Sequence, residues 1–185
     1  MEDAVMKEAV MKKDVIQEDV IEDVQKKSRN NIGAFYGWKK STQIKVNKQL
    51  YEGIETPFDL YEALLKIWCA DSCALRMREA WTPSNPAMGQ CSITAFLVQD
   101  IFGGEVYAFT TNNGNLHCYN RVNDIVFDLT SEQFGEQFDE YDYAKRYDCS
   151  LLQDRESENH FKRDEKYIRY QYIKSRLPQS MKIAI

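Results

Sequence analysis

The stretch PAMGQCSITAFLVQDIFGG, residues 86–104, constrains this chain more than any other. From Cys91 onward it is apolar at Ile93, Ala95, Phe96, Leu97, Val98 and Ile101, which together run nearly all the way round a helix. Such a helix has no face to give to water and must be covered on several sides. Pro83, Pro86 and Gly89 break regular structure ahead of it, and Gly103-Gly104 ends it. With 185 residues the chain has room for one domain built round this helix, plus an appendage.

The remaining segments supply the cover. Thr56, Pro57 and Asp59 form an N-cap, a first-turn proline and a first-turn acid. The helix they open, read through TPFDLYEALLKIWCADSCALRMREAW, sets Tyr61, Leu64, Leu65, Trp68, Ser72 and Leu75 at helical spacing. Cys69 and Cys73, one turn apart on it, read as core residues, because structural zinc needs four ligands and no second pair follows. After Gly104, EVYAFTT, the turn NNG, NLHCYNRV, Asn123-Asp124 and IVFDLT read as three short antiparallel strands joined by hairpins. A tyrosine-rich region follows, and SENHFKRDEKYIRYQYIKSRL reads as a final helix. In it Tyr167, Arg169, Tyr170 and Arg176 are candidates to close over a cleft, while Ile168, Tyr172 and Ile173 suit ordinary packing. The predicted class is α+β, a central helix packed on a small antiparallel sheet over residues 31–185.

Residues 1–30 differ in kind. They fall into near-repeats of five, MEDAV, MKEAV, MKKDV, IQEDV and IEDVQ. A five-residue step turns a helix about 140° past a full turn, so these apolar residues spiral and never gather into a stripe. All aromatic residues lie at Phe35 or beyond. The segment reads as a helical or disordered appendage.

A net charge of −5 without a concentrated basic surface argues against nucleic acid as a partner. No run of about 18 apolar residues is present and the first residues lack a signal-peptide layout, so no membrane association and a cytoplasmic location are expected. Five cysteines are an odd number without a dense framework, which reads as free thiols in a reducing compartment.

Cys91 stands where the loop becomes the helix. Unpaired N–H groups and the helix dipole there lower a thiol's pKa, and the same N–H groups suit an oxyanion, with the Gln90 amide as a further donor. A thiolate nucleophile needs a base; of two histidines, His160 falls in the charged final helix, leaving His117 on the second strand. If Asn123-Asp124 is a two-residue turn, residue 122 pairs with 125, Tyr119 lies opposite Asp128, and His117 and Asp128 become diagonal neighbours on one sheet face. Asp128 is then placed to orient the imidazole. A three-residue turn would flip that parity. Asp128 is also placed to cap the turn at Thr130-Ser131, which would leave His117 as an ordinary strand residue.

The segments W-T-P-S-N-P-A-M-G-Q-C-S-I-T-A-F-L-V-Q-D-I-F-G-G-E, N-L-H-C-Y-N-R-V and D-L-T-S-E-Q-F, within Tyr61 to Phe134, resemble the YunG family of small bacterial proteins. The resemblance implies a compact papain/transglutaminase-like architecture, in which a cysteine opens a central helix and a histidine and an acid or amide follow on strands. It implies Cys91 as nucleophile, His117 as base and Asp128 as orienting acid, with Gln90, Asn120, Thr130 and Gln133 near the site. The strand parity sets Asn120 on the face opposite His117. Cys118, beside the histidine, is a thiol that disulfide chemistry could engage.

The function expected is acyl transfer by a Cys-His-Asp triad, hydrolytic or not, on an amide or thioester in a peptide, a protein or a small molecule. No cofactor is called for. A metal site drawn from Cys91, His117, Cys118 and a carboxylate is disfavoured, because adjacent strand residues point to opposite faces. The alternative is a catalytically silent protein that holds a peptide or protein partner in the same groove. Oligomeric state is not legible.

Overall fold

The computed structural model describes residues 35–47, 49–137, 143 and 164–178. The five-residue repeat and His160 lie outside them. In order come α1 (Trp38–Ser41), α2 (Pro57–Leu65), a 3-10 turn at Leu75–Ala80, α3 (Cys91–Phe102), β1 (Glu105–Thr110), β2 (Leu116–Val122), β3 (Ile125–Phe127), a kinked 3-10 segment at Ser131–Gln137, and α4 (Asp164–Arg176). The fold is α+β, with β1, β2 and β3 in one antiparallel sheet of that order.

Helix α2 starts where its capping signals lie. The Asp59 N–H donates to Thr56 Oγ1 at 3.3 Å, the Thr56 N–H donates to Asp59 Oδ2 at 2.7 Å, and Pro57 occupies the first turn. It ends at Leu65, well short of the helix read from spacing alone. The chain turns instead at Cys69, whose N–H donates to Ser72 Oγ at 2.9 Å while its carbonyl accepts from that hydroxyl at 3.0 Å and from the Gln90 amide at 3.2 Å. Side-chain bonds to the backbone of this kind compete with helix continuation. Tyr61, Leu64, Leu65, Trp68 and Ser72 are buried as expected, Leu75 is 63% exposed, Cys73 is buried and Cys69 only half so.

Helix α3 is covered as its composition requires. Ile93, Thr94, Ala95, Phe96, Leu97, Val98, Ile101 and Phe102 are all buried, and β1, β2 and α4 pack on it. Gly103, at φ 75°, closes it. The sheet places Val106, Ala108, Cys118, Val122 and Phe127 in the same core, while Phe109, Tyr119 and Tyr143 form a second aromatic cluster. Asn120 lies on the helix side, where its amide donates to the Ala95 carbonyl at 2.9 Å and ties β2 to α3.

The β2–β3 connection is a two-residue turn. Val122 pairs with Ile125 and Asn120 with Phe127, and Asn123 and Asp124 both take positive φ, 49° and 64°. That is the left-handed pair a tight hairpin demands, supplied by residue types that tolerate it. β3 ends at Phe127 rather than running on through Thr130, because Asp128 leaves the sheet to bridge Tyr36. Its N–H donates to the Tyr36 carbonyl at 3.0 Å.

Helix α4 occupies the later part of the expected final helix and buries Lys166, Arg169, Tyr170, Ile173 and, just past its end, Leu177. Ile168, expected to pack, is 64% exposed. The buried stripe runs through the neighbouring charged positions instead.

Candidate active site

Cys91 opens α3 from a loop whose backbone is set by Gly89. Gly89 has φ +69°, and a Cβ there would lie 2.7 Å from the Cys73 sulfur, so both conformation and space call for glycine. β2 enters the sheet beside the first turn of α3, which brings Cys118 and His117 to Cys91. A hydrogen bond from the Cys118 side chain is the strongest influence on the Cys91 thiol; burial opposes it, and the His117 charge and hydrogen bond and the Cys118 backbone add to it. The net effect holds the thiol well below its ordinary value, which favours the thiolate form.

His117 sits between Cys91 and Asp128. Its Nε2 lies 2.5 Å from Asp128 Oδ2, with both side chains buried. The rings of Phe109 and Phe134 stand against the imidazole, with centroids 5.0 and 4.7 Å away. Burial alone would pull this histidine down, but the charges of Asp128 and Cys91 and the hydrogen bonds to both raise it to about 10. With Nε2 engaged by the carboxylate, Nδ1 is the nitrogen left for the cleft side. There it meets the Gln133 amide nitrogen at 3.1 Å.

Asp128 uses both oxygens. Oδ2 takes His117 and the Tyr143 hydroxyl, the latter at 2.7 Å, while Oδ1 accepts from the Thr130 N–H and hydroxyl, each at 2.8 Å. Burial pushes its carboxyl up, and the His117 charge and these donors more than reverse that, holding it below the ordinary carboxylate range. Capping the turn and orienting the histidine are therefore not alternatives: one carboxylate does both.

The four further residues divide. Gln133 lines the cleft and bonds Thr130 O at 3.0 Å as well as His117. Thr130 is one step behind, on Asp128. Gln90 is fully buried with its amide donating to Cys69 O and to Ser72 Oγ at 3.0 Å, so its side chain braces the wall instead of offering a donor to the cleft. Asn120 likewise serves the β2–α3 contact, on the face that strand parity assigned to it.

Spacing arguments did not find Tyr143 or Lys166. Tyr143 stacks on Tyr36, with centroids 3.8 Å apart, and meets Phe109 and Tyr119 edge-on, which fixes its hydroxyl on Asp128. Lys166 and Arg169 come from α4 to the cleft wall. Their signal was available: Lys166 and Arg169 continue, at i and i+3, the buried stripe of Tyr170, Ile173 and Leu177. The cleft so formed has a volume of about 620 Å³, with Cys91, His117 and Gln133 in its lining and Asp128 behind the histidine.

Over 54 residues the chain is 46% identical to the Bacillus subtilis (strain 168) protein described as "Uncharacterized protein YunG", a stretch amounting to 29% of this chain and 46% of that relative. The match thus spans about half the relative's length. No solved structure matches the chain. Residues 56–182 match the family model described as YunG protein, a span that runs from the cap of α2 past the end of α4 and takes in Cys91, His117 and Asp128. By that match the chain belongs to the YunG family.

Proposed function

We propose that the protein is a cysteine-dependent acyl-transfer enzyme that acts on an amide or thioester, with Cys91 as nucleophile, His117 as base and Asp128 as orienting acid. The observation that carries this reading is the buried His117–Asp128 contact at 2.5 Å, which commits one ring nitrogen and leaves the other on the side of Cys91. An imidazole fixed in that way is set to exchange a proton with sulfur. A nucleophile at the first turn of a buried helix, with base and acid on and just beyond sheet strands, supports reading the site as papain/transglutaminase-like, as the family resemblance implies.

The chemistry follows from these atoms. The Cys91 thiolate attacks the carbonyl carbon, forming a C–S bond and moving the carbonyl electrons onto oxygen, where the first N–H groups of α3 receive them. The imidazolium gives its Nδ1 proton to the leaving nitrogen or sulfur as the bond to carbon breaks. Water or an amine then attacks the thioester, Nδ1 takes the incoming proton, and the thiolate leaves. Gln133 can donate to Nδ1 only while that nitrogen is unprotonated. Once the ring is charged, its amide gives up Nδ1 and keeps its bond to Thr130 O, with its second N–H open to whatever occupies the cleft.

The test uses p-nitrophenyl acetate as a general acyl donor, followed by intact-mass and peptide mapping. Expected are an acetyl adduct on Cys91 that turns over, its absence in Cys91→Ala, and acylation slowed at least about 100-fold in His117→Ala. An adduct that forms and never clears, or none at all, favours a silent protein that holds its partner in the groove, and Cys91→Ser would then leave partner binding intact.

A further inference from the structure

Acyl transfer engages one thiol of the cleft and leaves a second beside it. Cys91 and Cys118 both line the cleft, and both are thiols rather than halves of a disulfide. The packing of β2 on α3 sets them together. β1 runs back from the end of α3 after Gly103-Gly104, and β2, antiparallel to β1, therefore follows the direction of the helix. Asn120 is tied to Ala95 by its 2.9 Å bond to the carbonyl. Cys118 shares a strand face with Asn120, and Cys91 shares a helix face with Ala95. Two strand residues advance about 6.8 Å and four helical residues about 6.0 Å, so the register that holds Asn120 to Ala95 brings Cys118 level with Cys91. There its side chain and its backbone N–H are both hydrogen-bonded to Cys91.

Cys73 also stands near this wall, but behind Gly89 and outside the cleft lining. Its sulfur rests on the Ala74 carbonyl at 3.5 Å, and burial pushes its thiol up to about 11. Cys69 is turned to the Tyr172 hydroxyl, 3.2 Å away.

We infer that Cys91 and Cys118 form a peroxide-reactive dithiol, in which a hydroperoxide oxidises Cys91 and Cys118 resolves the product to an intramolecular disulfide that blocks the nucleophile. An activated thiolate in a cleft that small molecules enter is the form of cysteine that peroxides oxidise. The Cys91 thiolate attacks one oxygen of the hydroperoxide, an S–O bond forms as the O–O bond breaks, and the departing oxygen takes the His117 proton and leaves as an alcohol or water. Cys91 has then given two electrons to the peroxide and is a sulfenic acid. The Cys118 sulfur attacks the Cys91 sulfur, an S–S bond forms as the S–O bond breaks, and hydroxide leaves with the Cys118 proton as water. A dithiol reductant returns both thiols. The inference shares Cys91 and His117 with the acyl-transfer reading and does not require acyl transfer.

The test treats the full, reduced chain with hydrogen peroxide near neutral pH and reads intact mass and a peptide map made without reductant. In the wild type the chain should lose two hydrogens and yield a Cys91–Cys118 cross-linked peptide. Alkylation of Cys91 by iodoacetamide should fall at least about tenfold and recover with dithiothreitol. Cys118→Ser should instead leave Cys91 as a sulfenic acid that dimedone traps, and later as a sulfinic acid that dithiothreitol does not return. Cys73→Ala should keep the Cys91–Cys118 bond. A disulfide from Cys91 to any other cysteine, within the chain or between chains, overturns the inference, and so does wild-type Cys91 that passes straight to the sulfinic acid or is not oxidised. The wild-type map decides even where a variant fails to fold. A Cys91–Cys118 disulfide without turnover of p-nitrophenyl acetate would sink acyl transfer and leave the dithiol standing. Turnover that peroxide does not slow would do the reverse.

Discussion

Asp128 interrupts the apolar series Ile125, Val126, Phe127 and Leu129, and a buried carboxylate at such a place must be paid for by its donors. Four are present, from His117, Tyr143 and, twice, Thr130. Tyr143→Phe removes one without changing shape, and should lower stability to chemical denaturation by about 1.5–3 kcal/mol, the usual range for a hydrogen bond to a charged group. Cys118 has a distinct part, since its side chain is the foremost influence lowering the Cys91 thiol. Cys118→Ala should therefore shift the acid limb of the Cys91 alkylation profile to higher pH; an unmoved limb would deny the thiol that part. At this scale His117 and Asp128 were legible because strand parity is arithmetic once the turn length is known. Tyr143 was not, because Tyr141, Tyr143 and Tyr147 stand close together in sequence and nothing local tells which one reaches the carboxylate.

Among the elements, α3, the two-residue hairpin and the start of α2 follow from local signals: composition all round, a pair tolerant of positive φ, and a capping box. The ends of α2 and β3 do not. Gln90, far along the chain, joins the local Ser72 on the Cys69 carbonyl, and Tyr36 takes the Asp128 N–H, so residues outside any local window act at both ends. The loop into Cys91 depends on the same wall. Gly89→Ala adds a Cβ 2.7 Å from the Cys73 sulfur at a φ of +69°, and should cost about 1–3 kcal/mol, read as a lower thermal midpoint. A neutral result would show that the loop has room to relax.

For the molecule as a whole, the Cys91–His117 pair gives stability an unusual pH profile. His117, raised from 6.5 to about 10, contributes stability that is complete below pH 6.5 and lost as pH rises toward 10. Cys91, lowered from 9.0, contributes stability that is complete above pH 9 and lost as pH falls. Between about 6.5 and 9 the two slopes cancel, because folded and unfolded chains hold the same number of protons on the pair. Denaturation midpoints should be flat across that window and fall on both sides of it, with Asp128 adding to the loss near its ordinary 3.8 and below. Cys91→Ala should remove the plateau. The central claim, a thiolate held by histidine, is tested most directly by the rate of Cys91 alkylation by iodoacetamide from pH 5 to 9, in the wild type and in His117→Ala. The account predicts rapid labelling already at pH 6 in the wild type and a marked slowing in the variant. Labelling that rises only near the free-thiol value of about 8.5, alike in both proteins, would contradict it.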